Sequence, residues 1–269
     1  MKWTIQYSMR HRIRRYCAAS GPPRTARSCG ARSPQRSEIL SRGKAADGPD
    51  VHPRRRRKHP RPRLQPLAVE ARSLVNGPAT TTAGPCWTRR LVGRAPHEAP
   101  HLAARRDTCT AFGAKPSRTR NSAEALARRV LTDAGLPRIN LLVDLYNAIG
   151  VAHPIPVGGE DTDRMNGTMQ LVRSTGQEPF ATVAGSEETV EHPEPGEAVR
   201  CDDEGVTCRR WNWRQGVRTR LTEESVNGVF LLERLAPMTI GELEAAGAEL
   251  VEWPKKLSPG ARITVDTPE

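Results

Sequence analysis

Apolar residues along this chain recur at helical spacing only from about residue 101 onward. A first helix is predicted to begin at Asn121, which forms a capping-box pattern with Glu124, and to end at Gly135. The apolar stripe of this segment consists of Leu126, Val130 and Leu131. One face of a helix of about 13 residues should therefore pack against a core.

A second helix is predicted to follow Pro137, with Asn140 as its N-terminal cap and Gly150 as its end. The apolar residues that recur at every fourth position are Leu141, Leu145 and Ile149. Asp144 and Asn147 lie about one turn apart on the other side of this helix. We therefore expect the apolar stripe to be buried, and Asp144 and Asn147 to face a ligand.

Beyond residue 150 the pattern changes to short extended segments separated by turn signals. The candidate strands span residues 153–157, 168–172, 180–183, 198–201, 206–210 and 229–232. The last of them is apolar throughout and should be a buried central strand, and a capping-box pattern at residues 239–242 opens a final helix. Helices, a mostly antiparallel sheet and another helix predict an α+β domain of about 150 residues.

The front of the chain has a different composition. Residues 1–110 carry 24 Lys/Arg and 6 Asp/Glu, a net charge of +18, whereas residues 111–269 have a net charge of −6. Residues 1–100 show no sustained apolar period, and such a segment cannot bury enough apolar area to offset its ordering entropy. We therefore expect residues 1–100 to be a disordered basic segment.

The basic run at residues 54–58 within that segment has three interpretations. It is an arm that binds nucleic acid, because each arginine or lysine can displace a counterion from a phosphate. Alternatively it is a solvated tail. The third interpretation is a mis-assigned start or reading frame, because the residues of this segment are mostly those of GC-rich codons.

Several classes of site are disfavoured by the sequence. No run of 18 or more apolar residues exists, so no membrane span is expected. The six cysteines form no CxxC pair and no metal-ligand spacing, which predicts reduced thiols in a cytoplasmic protein without a metal site. No phosphate-cradling glycine loop is present, so neither an ATP site nor another cofactor is expected.

Four segments carry a resemblance to a known family. They are FGAKPS at residues 112–117, LPRINLLVDLYNAI at 136–149, PVGGED at 156–161, and the stretch from 201 to 233. Together they resemble a free-standing B3/B4-type domain, which is named for the editing region of the phenylalanyl-tRNA synthetase beta subunit. The resemblance implies a B3/B4-like α+β domain over residues 101–253, with a mostly antiparallel sheet flanked by helices and a C-terminal tail at 254–269.

Individual positions match the family's motifs, and others depart from them. The matching positions are Arg138, Asn140, Val143, Asp144 and Asn147 in the helix, followed by Thr222, Glu223, Glu224 and Asn227. Gly158 stands where synthetase editing domains have a histidine. Arg105 and Cys109 stand at two positions that are usually aromatic in the family. These departures concern the hydrolytic centre and the front of the domain.

The resemblance implies hydrolysis of a mischarged aminoacyl ester at the 3′ end of a tRNA. Without a histidine at Gly158, a carboxylate must orient the water, or the ribose hydroxyl of the substrate must assist. The catalytic candidates are Asn147, Glu223 and Glu224, and the candidates for substrate contact include Arg138, Asn140, Asp144 and Asn227. Two structural alternatives stay open: residues 222–224 turn the chain ahead of a strand, and Asp144 forms a salt bridge with Arg138.

An Arg- and Trp-rich segment at residues 209–215 is the strongest local signal. Its candidate RNA-contacting residues are Arg210, Trp211, Asn212, Trp213 and Arg214. Aromatic faces stack on unpaired bases with about 1–3 kcal/mol each, and arginine binds phosphate. The alternative is that Trp211 and Trp213, which alternate along a strand, both face a core.

Three functions remain open at the level of sequence. The first is a hydrolase that clears misacylated tRNA in trans, with the tRNA 3′ end or aminoacyl-tRNA as partner and no DNA specificity. The second is a non-catalytic RNA-binding module, and the third is a pocket for a free amino acid or related metabolite. Without an ATP site, the chain is not a complete synthetase.

Overall fold

The structure is a computed structural model of the 269-residue chain, and it describes residues 4–7, 15–16, 64–79, 96–132 and 135–266. The basic run at residues 54–58 lies outside the described residues, so all three interpretations of that run remain open. The described chain contains helices, strands and two short 3-10 turns, at Pro96–Glu98 and Thr162–Arg164.

The helices are α1 (Pro100–Ala111), α2 (Ser122–Leu131), α3 (Leu141–Ala152) and α4 (Ile240–Leu257). The predicted N-terminal caps are confirmed, because the side chains of Asn121, Asn140 and Thr239 each accept a hydrogen bond from a backbone N–H in the first turn. Within the described residues, no helix combines the length and the apolar character that a membrane span requires.

The first seven strands are β1 (Thr4–Tyr7), β2 (Arg15–Tyr16), β3 (Gln65–Arg72), β4 (Val157–Asp161), β5 (Met169–Arg173), β6 (Phe180–Ala184) and β7 (Glu187–Glu191). The others are β8 (Ala198–Cys201), β9 (Val206–Arg209), β10 (Arg214–Gln215), β11 (Asn227–Arg234) and β12 (Arg262–Asp266). Every paired strand runs antiparallel to its neighbour. The α+β class expected from the sequence is confirmed.

Two larger sheets and one hairpin organise these strands. The four-stranded sheet has the order β12-β3-β11-β4, and the six-stranded sheet has the order β10-β9-β8-β5-β1-β2. Strands β6 and β7 form a separate two-stranded hairpin. Strand β11, the apolar strand predicted to be central, indeed pairs on both sides, with β3 and with β4.

The four-stranded sheet is buried on both faces. Phe230 and Leu232 of β11 lie in one core cluster with residues of α3 and α4, whereas Val229 and Leu231 lie in a second cluster with β5 residues such as Met169. Because successive side chains of a strand point to opposite faces, the two clusters lie on opposite sides of this sheet. Helices α3 and α4 therefore cover one face, and the six-stranded sheet covers the other.

The expectation of disorder is wrong for part of residues 1–100. Strand β3 lies between β11 and β12, with Val69 opposite both Phe230 and Val265, and Leu67, Val69 and Ala71 are buried. These three apolar residues alternate along only eight residues, so the pattern is too short to stand out in an Arg- and Pro-rich stretch. Strands β1 and β2 also lie in this stretch.

The boundaries of the domain shift accordingly. Helix α1 begins at Pro100, where a proline is tolerated because the first backbone N–H groups of a helix have no partner within it. The tail expected at residues 254–269 instead completes α4 and supplies β12, which pairs with β3. The described fold thus extends beyond the range 101–253 at both ends.

A buried polar cluster between the two sheets

The start of α3 is held by its own polar side chains. Asn140 is 2% exposed, and its Nδ2 donates to the carbonyl of Leu221 at 3.0 Å. Asp144 accepts the Ile139 N–H at 2.8 Å and lies 3.0 Å from Arg138 Nε. The salt bridge between Asp144 and Arg138 supports the structural interpretation of this pair, since both groups fix the entry into the helix.

Helix α3 does not have one core face and one ligand face, contrary to the expectation. Leu145 and Ile149 are buried, but Asp144 is only 3% exposed and Asn147 only 8% exposed. The reason is that α3 packs against α2, α4 and the four-stranded sheet together. The Asn147 side chain nevertheless makes no hydrogen bond with the described residues, so its amide remains able to bind a ligand.

Glu223 and Glu224 lie in an exposed turn. Thr222 Oγ1 donates to Glu224 Oε2 at 3.3 Å, and the adjoining Leu221 carbonyl is bound by the cap of α3. Asn147 lies two turns further along this helix, about 10 Å along its axis. The structure therefore does not bring the three predicted catalytic residues together.

The side chain of Asn227 also makes hydrogen bonds that hold the fold together. Its Nδ2 donates to both carboxylate oxygens of Asp163, at 2.8 and 3.0 Å, and its Oδ1 accepts the Ser73 N–H at 3.1 Å. These contacts join the start of β11 to the turn after β4 and to the end of β3. All polar groups of the Asn227 side chain are thus engaged within the fold.

Trp211 lies in the core. It is 3% exposed and packs in the cluster that contains Met169 and Leu231. Its indole Nε1 donates to Glu233 Oε2 at 2.6 Å, and the Arg105 guanidinium lies 4.6 Å from the ring centroid. This environment favours the core interpretation of Trp211, because a base stacked on the ring would have to displace these neighbours.

The next two residues of the segment differ in their exposure. Asn212 is 7% exposed, accepts a hydrogen bond from Arg105 Nη1 and donates to Glu233 Oε2, both at 3.0 Å. Trp213 is half-buried, and the Arg210 guanidinium lies 5.0 Å from its ring centroid. Of the two tryptophans predicted to contact RNA, Trp213 alone has an exposed portion.

The arginines of this segment are paired with glutamates. Arg214 Nη1 lies 3.0 Å from Glu191 Oε1, Arg209 Nη2 lies 2.8 Å from Glu197 Oε2, and Arg210 Nε lies 3.6 Å from the same atom. Burial opposes ionisation of Glu197, but the hydrogen bonds and charge of Arg209 hold the pKa of that carboxyl below its usual value. Much of the positive charge expected to attract phosphate is therefore compensated.

Between the two sheets lies a group of buried polar side chains, which we call the inter-sheet cluster. Its members are Arg105, Arg200, Trp211, Asn212 and Glu233. Glu233, which is fully buried, is the hub, since its Oε2 accepts from Trp211, Asn212 and, at 2.7 Å, from Arg200 Nη2. A buried carboxylate with several donors is stable only because its charge is compensated and its oxygen is hydrogen-bonded.

Glu160 of β4 lies beside this cluster. It is 1% exposed, and its Oε2 accepts hydrogen bonds from Thr219 Oγ1 at 2.6 Å and Gln215 Nε2 at 2.8 Å. Burial raises the pKa of Glu160 to about 7, against the opposing effects of these hydrogen bonds and of the Arg200 charge. Near neutral pH this carboxyl can therefore both accept and donate a proton.

Gly158 provides the close approach between β4 and the cluster. An ideal Cβ on Gly158 would lie 2.7 Å from Arg200 Nη1, so the guanidinium fills the space that a side chain at this position would take. On the other face of the strand, a Cβ on Gly159 would lie 2.9 Å from the Tyr146 ring. The position at which the family resemblance implies a histidine is thus occupied by the arginine of another strand.

The residues of this site that sequence reasoning missed are Glu160, Arg200 and Glu233. Each has a charged side chain at an inward-facing position of a strand whose neighbours two residues away are buried, as Ala198 is for Arg200 and Leu231 for Glu233. A charge in phase with buried apolar residues was the available signal. This signal is weak for any single strand, because the charged side chains form a cluster only when strands that are far apart in sequence meet in the fold.

Metal chemistry finds no support in the described part of the chain, where no group of three or more histidine, cysteine or acidic side chains is placed to hold an ion. Cys109, Cys201 and Cys208 are free thiols. Burial raises the pKa of Cys109 and Cys201 to about 11 and that of Cys208 to about 12. These thiols are therefore protonated at neutral pH and poor nucleophiles.

Comparison with known proteins identifies the family to which this chain belongs. No curated protein matches the chain. Among solved structures, an N-terminal fragment of the phenylalanyl-tRNA synthetase beta-subunit from Pyrococcus horikoshii is similar at 14% identity, with a TM-score of 0.35. The similarity covers 45% of this chain and 40% of that one. The profile of the B3/4 domain matches residues 104–245, which is more than half of the chain, and the chain therefore belongs to the B3/4 domain family.

Proposed function

We propose that this domain binds the aminoacylated 3′ end of a tRNA beside the inter-sheet cluster and hydrolyses misacylated esters in trans, in the cytoplasm. Membership of the B3/4 family supports a function related to tRNA synthetases. The observation that carries the hydrolytic part is the pair formed by Glu160 and Arg200, because the Arg200 guanidinium packs over Gly158, two residues before Glu160 on the same strand, and its charge acts on the Glu160 carboxyl.

The two charged groups fit complementary steps of ester hydrolysis. Glu160, with a pKa of about 7, accepts a proton from water, and the resulting hydroxide attacks the ester carbonyl carbon. The negative charge that develops on the carbonyl oxygen is stabilised by Arg200. When the ester C–O bond breaks, the ribose oxygen leaves with the proton held by Glu160, which restores the carboxylate.

The approach of a substrate is set by the edge of the four-stranded sheet. Strand β4 is an edge strand, and Gly158 is half-buried, whereas Glu160 and Arg200 are each 1% exposed. The ester therefore reaches the carboxyl from the side of Gly158. Asn147 is on α3, which packs against the opposite face of this sheet, where the Tyr146 ring lies beside Gly159, so this proposal assigns Asn147 no contact with the ester.

A panel of misacylated tRNAs tests this function. We expect at least one of them to be deacylated by the purified chain, and we expect Glu160→Gln to lower that rate by about 10²–10⁴-fold, because the proton acceptor is lost. Glu223→Gln, in the exposed turn, is the matched control and should leave the rate unchanged. Full activity of Glu160→Gln, or no deacylation of any tRNA in the panel, contradicts the proposal.

A second candidate function is binding of a free amino acid or related metabolite. It is favoured by the burial of the cluster, since Glu160, Arg200 and Glu233 are at most 1% exposed and suit a small ligand better than a polynucleotide. Thermal unfolding in the presence of single amino acids distinguishes the two, because a ligand of the native state raises the midpoint. A shift with an amino acid and no deacylation assigns the metabolite function, and RNA binding alone assigns a non-catalytic module.

A further inference from the structure

Positive charge is concentrated in one part of the described domain. Residues 96–132, which contain α1 and α2, carry seven Lys/Arg and three Asp/Glu, a net charge of +4. Residues 135–266 carry thirteen Lys/Arg and twenty-one Asp/Glu, a net charge of −8. The backbone of a polyanion is therefore attracted more strongly by the segment that contains α1 and α2 than by residues 135–266.

Three arginines converge on one carboxylate within this segment. Glu124 of α2 has a fully buried side chain, and Arg106 Nη1 of α1 lies 2.8 and 3.0 Å from its two oxygens. Arg128 Nε lies 3.4 Å and Arg120 Nε 3.7 Å from Glu124 Oε1. One buried carboxylate is thus shared by three guanidinium groups.

The three arginine side chains are partly accessible to solvent. The side chains of Arg106, Arg120 and Arg128 are 27%, 38% and 42% exposed. In Arg120 and Arg128 the Nε atoms that face Glu124 are buried, so the exposed area belongs to other atoms of these side chains. Glu124 therefore anchors the stems of the arginines while they remain exposed to solvent.

This arrangement differs from that of the Arg- and Trp-rich segment. There, Glu191 and Glu197 provide two carboxylates for Arg209, Arg210 and Arg214. The two regions are adjacent, because the Ser122 N–H of α2 donates to the Asn212 carbonyl at 3.0 Å. A strand of RNA that follows the arginines of α2 would thus arrive at the half-buried Trp213.

We propose that Arg106, Arg120 and Arg128 form a phosphate-binding surface, which we call the Glu124 surface, for the RNA backbone next to the tRNA 3′ end. The proposal rests on the proposed function in taking tRNA as the ligand. Guanidinium groups suit this ligand because their planar N–H donors match phosphate oxygens. The Glu124 surface binds the backbone without reading the sequence, and the inter-sheet cluster receives the aminoacyl group.

Salt dependence of tRNA binding by the full chain tests the Glu124 surface. The double variant Arg120→Gln/Arg128→Gln keeps Arg106, which is hydrogen-bonded to both oxygens of Glu124, so the buried carboxylate stays paired. Each arginine that contacts a phosphate contributes about 0.7–0.9 to the slope of log K against log salt concentration. We expect the slope of the double variant to be shallower by about 1.4–1.8.

The matched control is Lys255→Gln/Arg262→Gln, which removes the same charge from α4 and β12. Both proteins retain the basic front segment, so its contribution cancels in the comparison. Equal slopes for the double variant and the control overturn the proposal, provided that circular dichroism shows both to be folded. Binding of the unaltered chain to anionic phospholipid vesicles, lost in the double variant while tRNA binding is kept, also overturns it.

A kinetic comparison separates this proposal from the proposed hydrolysis. The double variant should raise KM for a misacylated tRNA and leave the turnover of a minimal substrate, the same amino acid esterified to adenosine, unchanged. Equal loss on both substrates overturns the proposal. If the unaltered chain hydrolyses neither substrate, the proposed function fails, and the salt-dependence measurement still decides whether the Glu124 surface binds phosphate.

Discussion

Arg200 Nη1 lies 2.7 Å from the point that a Cβ atom would occupy on Gly158. The same guanidinium is paired with Glu233 at 2.7 Å, so it has little freedom to move away. The absence of a side chain on β4 and the presence of an arginine on β8 are therefore two parts of one arrangement. It places a positive charge where the family resemblance leads one to expect an imidazole.

This contact predicts a cost for any side chain at residue 158. We expect Gly158→Ala to lower the free energy of unfolding by about 1–3 kcal/mol, because the methyl group forces Arg200 out of a packed position. Gly241→Ala in α4 is the control, since a Cβ there meets nothing within 4 Å. Urea unfolding of both variants measures the difference, and equal stabilities would show that Arg200 moves freely.

Glu160 predicts a pH dependence of stability. Its pKa is about 7 in the folded chain, above its usual value of 4.5, so between these values the folded state holds a proton that the unfolded state releases. Stability should therefore fall as pH rises from about 4.5 to 7, by on the order of 3 kcal/mol from this group, and then level off. Urea unfolding across this range should show the fall, and Glu160→Gln should flatten it.

Other buried carboxyls do not obscure that window. Hydrogen bonds that outweigh the effect of burial hold the pKa values of Glu197 and Asp202 below their usual range. Their contribution to stability is present above the unfolded pKa and is lost as pH falls through the folded one. A fall in stability between pH 5 and 7 that persists in Glu160→Gln would contradict the assignment of the titration to Glu160.

The two tryptophans of the Arg- and Trp-rich segment should behave differently. We expect Trp211→Ala to cost about 3–5 kcal/mol of unfolding free energy, because it opens a cavity in the core and removes a donor from Glu233. Trp213→Ala should cost less and should weaken tRNA binding by about 1–3 kcal/mol. Unfolding and RNA binding, measured on both variants, would refute this assignment if Trp213 proved the more destabilising.

Deletion of residues 1–100 should abolish the cooperative unfolding transition. The deletion removes β3, which pairs with β11 on one side and β12 on the other and buries Leu67 and Val69. Deletion of residues 1–63 keeps β3 and is the control, which should retain a cooperative transition. A folded protein that starts at residue 101 would show that β3 is dispensable, as the composition of the front segment suggested.

Elements defined by local signals could be predicted from the sequence. The caps at Asn121, Asn140 and Thr239 are confirmed because a cap and its partner lie within three residues of each other. The partner of the Glu124 side chain could not be predicted in this way. Its pattern predicts a bond back to the start of its own helix, but its carboxylate is bound by Arg106 on another helix, which no local pattern contains.

The candidate site could not be predicted, for a reason of topology. Glu160, Arg200 and Glu233 come from three strands, and only the pairing registers decide that their side chains point into the same layer. The tryptophan pattern was equally ambiguous, since alternation along a strand fits either a core or a ligand surface. The core interpretation holds for Trp211 because Arg105 and Glu233 cover its ring and its N–H.

The central position of β3 also governs how this chain acquires its structure during synthesis. The β3 residues leave the ribosome early, but their partners in β11 and β12 begin at residues 227 and 262. The backbone hydrogen-bonding groups on both edges of β3 therefore have no partner strand during most of translation. Such long-range pairing slows folding, and the nascent chain should depend on chaperones until its last strand has been made.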